Sequence, residues 1–388
     1  MNRNKKMVKA ACMAGLSLAL LAPQTALAAS PPFAYSEEKW AALQDDKLEF
    51  GEIADLIHEY NSTVKKNAID YEDYKGKDSD EIAQTYYDTA DEIYASIEYP
   101  DSDDSNYGSR LASAQSSELS AEQMMERGDE NVTDSDTVLW GYTKAEKGLV
   151  QSAQQQMISY WNNVVNLESR KNAVIKAQKD YETAQTKKAA GTATQSDVLN
   201  AEEALLTARS AVTTTESTIA STKENLCLML GWNYGDEVEI SYLPEPEAAM
   251  SASVNLEEDI AKAVENNYEL KILNRQVKNA RVGSVQRSYE TTLKSSEEAV
   301  KSNVRSAYQS LVLAENQYAQ AQESFALEEK TMQSAERKKA AGTISANAYQ
   351  NQSYTYENAR AQLQTASMSL LQAQLSYQWA VDGLASTV

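Results

Sequence analysis

His58 and Cys227 are the residues from which this chain could build nucleophilic or metal chemistry, and little stands ready to join them. His58 is the single histidine, and the other cysteine, Cys12, falls in an amino-terminal stretch with the marks of a cleaved leader. A histidine-dependent triad would have to use His58, and a Cys/His zinc site would have at most two ligands. His58 sits at helical spacing in LEFGEIADLIHEYNS, which reads as a surface or packing position. Cys227, in ENLCLMLG, reads as a small apolar filler. The sequence therefore predicts no enzyme: no catalytic residue, no metal and no cofactor. A single cysteine past the leader also forbids an intramolecular disulfide.

The spacing that does carry information is a repeated word. KKAAGT occurs at residues 187–192 and again at 338–343, 151 positions apart. Paired lysines in a last helical turn oppose the negative end of the helix dipole, and a glycine just beyond can take the left-handed conformation that closes the helix. Thr194 then precedes a new helical run with Asp197 three places on, which is a capping box. In the second copy Ser345 can cap, but Ala348 stands in the partner position. Each word is thus the turn of a helix-turn-helix hairpin.

The elements that hold these turns are long. After Pro32 the only prolines are Pro100, Pro244 and Pro246, and glycine is scarce at 13 residues. Two proline-free stretches rich in helix formers follow. Ala153, Met157, Tyr160, Leu167, Val174, Tyr181 and Ala184 fall on steps of three, four and seven. Adding 151 gives Val304, Tyr308, Leu311, Tyr318, Phe325, Met332 and Ala335. Past the turns, Leu205, Ala208, Val212, Ile219, Thr222 and Leu226 map by the same shift onto Tyr356, Ala359, Leu363, Leu370, Ala373 and Tyr377. The fold class is all-α: two tandem repeats of long antiparallel coiled-coil hairpins. One strand-like alternation stands out, at residues 237–242.

At the amino terminus Arg3, Lys5, Lys6 and Lys9 precede an apolar run and the small-residue site Ala26-Leu27-Ala28, which predicts a signal peptide over residues 1–28 and an exported chain. No later window is apolar enough for a membrane span. The expected organisation is a first repeat over 29–243, carrying an acidic insert at 101–137, and a second over 244–388. Without the leader, 32 cations face 57 acids, a net charge of −25, which makes nucleic acid and anionic lipid poor partners.

Together these motifs resemble the outer membrane factor family, the TolC-like efflux and secretion ducts. The family's tip pattern, G-x-x-[ST]-x-x-D-[VL]-L, is closely matched by Gly191, Thr194, Asp197, Val198 and Leu199, and more loosely by Gly342, Ser345 and Ala348. The return helices end at Leu226-Cys-Leu-Met-Leu-Gly231 and at Trp379-Ala-Val-Asp-Gly383. A transition at Pro244 to Pro246 and Ala263 to Leu270 follows the family's order. The resemblance implies a homotrimer forming a hollow α-helical barrel. Its tips would dock a periplasmic adaptor (membrane fusion) protein of an inner-membrane or ABC-type transporter, here through Gly191, Thr192, Thr194, Asp197, Val198, Leu199, Gly342, Thr343, Ser345 and Tyr349. It also implies a location in the cell envelope, at the outer membrane or its periplasmic side, or outside the cytoplasm of a cell lacking an ordinary outer membrane.

Typical members insert two membrane strands in each half. Here the second half leaves about ten residues after Arg287, against the 9–11 that one membrane strand needs, and residues 101–137 are polar and acidic. The expectation is that the membrane β-barrel is missing, with the chain reversing near residues 128–137 and 289–296. Ala348 and Asn351 also replace the family's acidic gate positions. An exported coiled-coil spacer without conduction is the alternative function.

Overall fold

The computed structural model describes residues 34–388; the predicted signal peptide lies outside the described residues. Thirteen elements follow in order: α1 (Glu37–Ala42), β1 (Lys47–Leu48), α2 (Ile53–Tyr60), α3 (Ser62–Glu72), α4 (Ser79–Ala95), α5 (Tyr107–Asp129), α6 (Ser135–Ala189), α7 (Gln195–Leu230), β2 (Glu239–Ile240), α8 (Leu256–Asn266), α9 (Tyr268–Asn279), α10 (Gly283–Ala340) and α11 (Ala346–Trp379). Short 3-10 turns precede α2 and α8, and a π-helical turn ends α11. The protein is all-α, built on two long hairpins, α6/α7 and α10/α11.

The long helices have 55, 36, 58 and 34 residues. At ~1.5 Å per residue, α6 and α10 each run about 80–90 Å. Such rods have little core of their own, so their seams must carry the packing. Every seam residue named above is buried or half-buried, and Ala153, Met157, Leu226, Val304, Leu311 and Leu370 are sealed from solvent. The four helices lie in the order α7, α6, α11, α10: α6 packs on α7 and α11, and α11 packs on α6 and α10. Helices α7 and α10 form the two outer flanks.

The remaining elements clamp each hairpin away from its tip. In the first half α2 and α3 lie on α6, and β2 pairs in parallel with β1. Their core joins Leu48, Ile53, Leu56 and Ile57 to Met157, Ile158, Leu226 and Val238. In the second half α8 and α9 lie on α10, joining Ile260, Leu270 and Leu273 to Val300, Val304, Leu311 and Leu370.

The two clamps share one device. Buried Asn61 caps α3, accepting from Thr63 and Val64 amides, and donates to the Met229 carbonyl at 2.8 Å. Buried Asn267 caps α9, accepting from the Leu270 amide, and donates to the Ala385 carbonyl at 2.9 Å. In both halves a left-handed glycine ends the return helix against the residue before that asparagine. A Cβ on Gly231 would overlap Tyr60, and one on Gly383 would lie 2.6 Å from the Asn266 carbonyl oxygen.

At the end opposite the tips, α4 and α5 form a helical hairpin that packs chiefly on itself. Residues 79–129 hold thirteen acids and two arginines, a net charge of −11. Helix α5, within the acidic insert expected at 101–137, is the second arm of this hairpin, and its first arm begins at Ser79. In the second half the chain reverses within residues 280–282, and α10 begins at Gly283. Tyr289 and Ser296, expected at the reversal, are helical instead, because Tyr289 and Leu293 pack on the second core and carry the helix through. The first reversal, at residues 130–134, lies inside the expected window. Among the described residues β1 and β2 are the only strands, so neither expected insertion point carries a membrane strand.

Candidate functional site at the hairpin tips

Both KKAAGT words form the same helix ending. The Thr192 amide donates to the Lys187 carbonyl at 2.8 Å and the Gly191 amide to Lys188 at 2.9 Å. The second copy repeats this with Thr343 to Lys338 at 2.9 Å and Gly342 to Lys339 at 3.1 Å. This double closure needs positive φ at its penultimate residue, and Gly191 and Gly342 supply +74° and +68°. The hydroxyls of Thr192 and Thr343 add bonds to the same lysine carbonyls.

The next helices start differently. In the first tip the Asp197 carboxylate accepts from the Thr194 amide at 2.7 Å and hydroxyl at 2.8 Å, while the Asp197 amide donates back to the Thr194 hydroxyl. These bonds hold the Asp197 carboxyl below the usual carboxylate range. In the second tip Ser345 alone caps, accepting from the Ala348 amide at 3.1 Å.

The ten residues singled out from sequence therefore fall into two clusters. Gly191, Thr192, Thr194 and Asp197 are exposed on the first turn, with Leu199 exposed and Val198 turned inward. Gly342, Thr343 and Ser345 are exposed on the second, where half-buried Tyr349 lies under the Lys339 ammonium, 3.7 Å from its ring centre. The Lys179 ammonium of α6 bonds the Gln350 amide oxygen of α11, joining the two hairpins within about two to three helical turns of either glycine. Both tips thus lie side by side at one end of the molecule.

Sequence reasoning missed the polar node at the other end. Buried Asp134 caps α6: its carboxylate accepts from the Thr137 amide at 2.9 Å, the Asn279 amide group at 2.9 Å and the Arg275 guanidinium. Burial alone would raise this carboxyl, but the bonds from Asn279, Thr137 and Arg275 outweigh it and hold the group below its ordinary range. Beside it Arg281, in the short turn before α10, donates to the Ser79 and Gly128 carbonyls at 3.1 and 3.0 Å and pairs with Asp80. One arginine thereby fastens both feet of the α4/α5 hairpin. A capping signal, Asp134-Ser-Asp-Thr137, was visible in the sequence; its partners 140 residues on were not.

The two residues with reactive potential have structural surroundings. Cys227 is buried in the first core, and burial pushes its thiol up. His58 bonds Glu146 of α6 at 2.8 Å and is half exposed. Among the described residues no group of three His, Cys, Asp or Glu side chains could hold a metal ion, and no helix is long and apolar enough to cross a membrane.

Two long hairpins thus lie side by side with their tips at one end and are clamped away from those tips. No protein-family profile matches the chain, and no curated protein matches it in sequence. Among solved structures, the outer-membrane channel OprN is similar with a TM-score of 0.51 at 9% identity, covering 90% of this chain and 93% of that one. The outer membrane protein VceC from Vibrio cholerae has a TM-score of 0.50 at 9% identity, with coverage of 86% and 96%. A membrane protein from Pseudomonas aeruginosa has a TM-score of 0.51 at 11% identity, with coverage of 86% and 93%. The described residues have the TolC-like helical-hairpin fold shared with these outer-membrane proteins.

Proposed function

We propose that the protein is a non-catalytic subunit of a trimeric α-helical duct in the cell envelope, whose tips dock an adaptor protein of an efflux or secretion transporter. The observation that carries the duct is the state of the two outer flanks. Leu199, Leu206 and Leu228 are exposed on α7, and Leu313 and Leu327 on α10, each about half or more open to solvent. These flanks face opposite ways on one subunit, so α7 of one copy meets α10 of the next, a heterologous contact that closes into a ring. Tips at one end of the molecule put all contacts with the adaptor there.

Conduction is passive in this reading, and passage through an outer membrane falls to another protein. The mass of the purified mature chain in solution tests the ring: a trimer supports it, and Leu206→Glu with Leu313→Glu should yield monomers. A wild-type monomer at micromolar concentration refutes it.

The helical hairpin and the three-residue turn found at the two strand positions favour a second reading, an exported spacer that kept the hairpins and lost conduction. A trimer with a water-filled axis separates the duct from the spacer. Unaided ion channels in planar bilayers would contradict the missing barrel itself.

A further inference from the structure

Each tip of this acidic chain carries a cluster of cations. Between residues 183 and 199 the first tip carries Lys187 and Lys188 against one acid, Asp197, whose carboxylate is occupied by Thr194. Over the equivalent residues 334–350 the second carries Arg337, Lys338 and Lys339 against one acid, Glu336. Five cations against two acids give +3 in a chain whose total is −21. All five are exposed, and none forms an ion pair among the described residues.

Helix ends alone do not account for this. The carboxyl end of a helix is equivalent to about half a negative charge, so two ends offset roughly one cation. The surplus lies in the last turns of each helix, beside two turns whose backbone is already satisfied. Lys188 reaches Gln195 and Lys339 covers Tyr349, which fixes two of the heads over the tips.

We propose that the paired tips form a cationic docking surface for a segment of another protein with net negative charge. The inference rests on the duct reading for its partner and adds the chemistry by which that partner is chosen. Charge complementarity of this kind speeds encounter and sets register. A second copy docking tip to tip is opposed by its own like charges. A second copy offering its α4/α5 hairpin, at −11, is the competing occupant, and it would string subunits head to tail.

The test uses the full chain in its own cells, with a photo-crosslinking amino acid at exposed Ala341 and sequencing of the linked peptide. The expected product is a segment of a different protein with more acids than bases. The combined change Arg337→Glu, Lys338→Glu and Lys339→Glu should lower its yield about tenfold. The corresponding Gln triple, with helicity checked by circular dichroism, should lower it by less, and lysines in place of the partner's acids should rescue the Glu triple. A neutral or basic segment, a yield indifferent to charge reversal, no product, or linkage to residues 79–129 of another copy each overturns the proposal. An acidic segment from a protein unconnected with transport would sink the duct reading while sparing this one. An adaptor held through a neutral surface would do the reverse.

Discussion

Asp134 is where the absence of membrane strands makes its sharpest demand, because the 55-residue α6 must start there with no strand to lead into it. Asp134→Ala removes three things at once. The cap to Thr137 is lost, at a cost of about 1 kcal/mol. The Arg275 pair is lost too, but Arg275 is 38% exposed and lies 3.5 Å from Asp136, so it can turn toward that carboxylate and water. The 3–5 kcal/mol typical of a fully buried broken pair is therefore an upper bound of about that size. Asn279 keeps its bond to the Val132 carbonyl at 3.0 Å, so its amide is not orphaned. The expected loss is about 2–4 kcal/mol. Asp134→Ser keeps a capping oxygen and should recover about 1 kcal/mol of it.

Rods of this length open in parts, so the assay is amide exchange at the first turns of α6, where such a loss accelerates exchange roughly 30- to 700-fold. Amides at Lys187 and Lys338, far along the rods, should not change. The pH dependence has a fixed sign. Because the folded carboxyl is held low, its stabilisation is present above the unfolded value near pH ~4 and is lost as pH falls through the folded value. Both variants should flatten that acid limb. Acceleration below about tenfold for Ala, an identical effect from Ser, or equal change at the tips would refute the reasoning.

Two glycines separate strain from crowding. Gly342→Ala meets open space and carries only the left-handed backbone penalty, about 1 kcal/mol, read as faster exchange at the second tip. Gly383→Ala adds overlap with the Asn266 carbonyl and should cost more than about 3 kcal/mol, visible as lost soluble yield or a lowered Tm. Asn267→Ala removes a cap and a buried bond together, about 2–3 kcal/mol, and should loosen α9 in limited proteolysis before it affects the tips. Tyr377 is buried and donates to Asp259 at 2.8 Å, and burial first, then that carboxylate, push its phenol well above the ordinary value. Its contribution is complete below pH ~10 and is lost as pH rises, so alkaline titration followed at 295 nm should show Tyr377 ionising only on unfolding, and Tyr377→Phe should soften the alkaline transition.

The tips were legible because everything that makes them is local. Lysines, glycine and a capping threonine act within eleven residues, and the seam between the turns holds one phase over 151 positions. The clamps were not legible for a related reason. Asn61 and Asn267 are equivalent but lie 206 positions apart, because the α4/α5 hairpin lengthens only the first half, so the shift that aligns the tips passes over them. The β1/β2 pair is two residues wide, and its register is set by Leu48 and Ile240 entering the first core, not by any alternation around Lys47. The second reversal was placed late because residues 287–296 are neutral in helix propensity. Packing of Tyr289 and Leu293 decided the matter, and packing leaves no trace in a window of ten residues.

The asymmetry of the far end follows from the same physics. A membrane strand leaves its backbone groups to be satisfied by neighbours on both sides, so a β-barrel is viable only when every subunit supplies matched strands and the ring closes. A helical hairpin satisfies its own backbone, so α4/α5 can stand in the first half while the second half has only the turn at residues 280–282. The α4/α5 hairpin needs no copy beside it to satisfy its backbone, and at −11 each, neighbouring hairpins would repel. In the proposed ring the adhesive surfaces are then the leucine flanks of α7 and α10, along the rods, and the charged ends are left free for the proposed partners. Arg281 and Asp134 complete this logic: they brace the start of both long helices from within one chain, where a closed barrel would have braced them from outside.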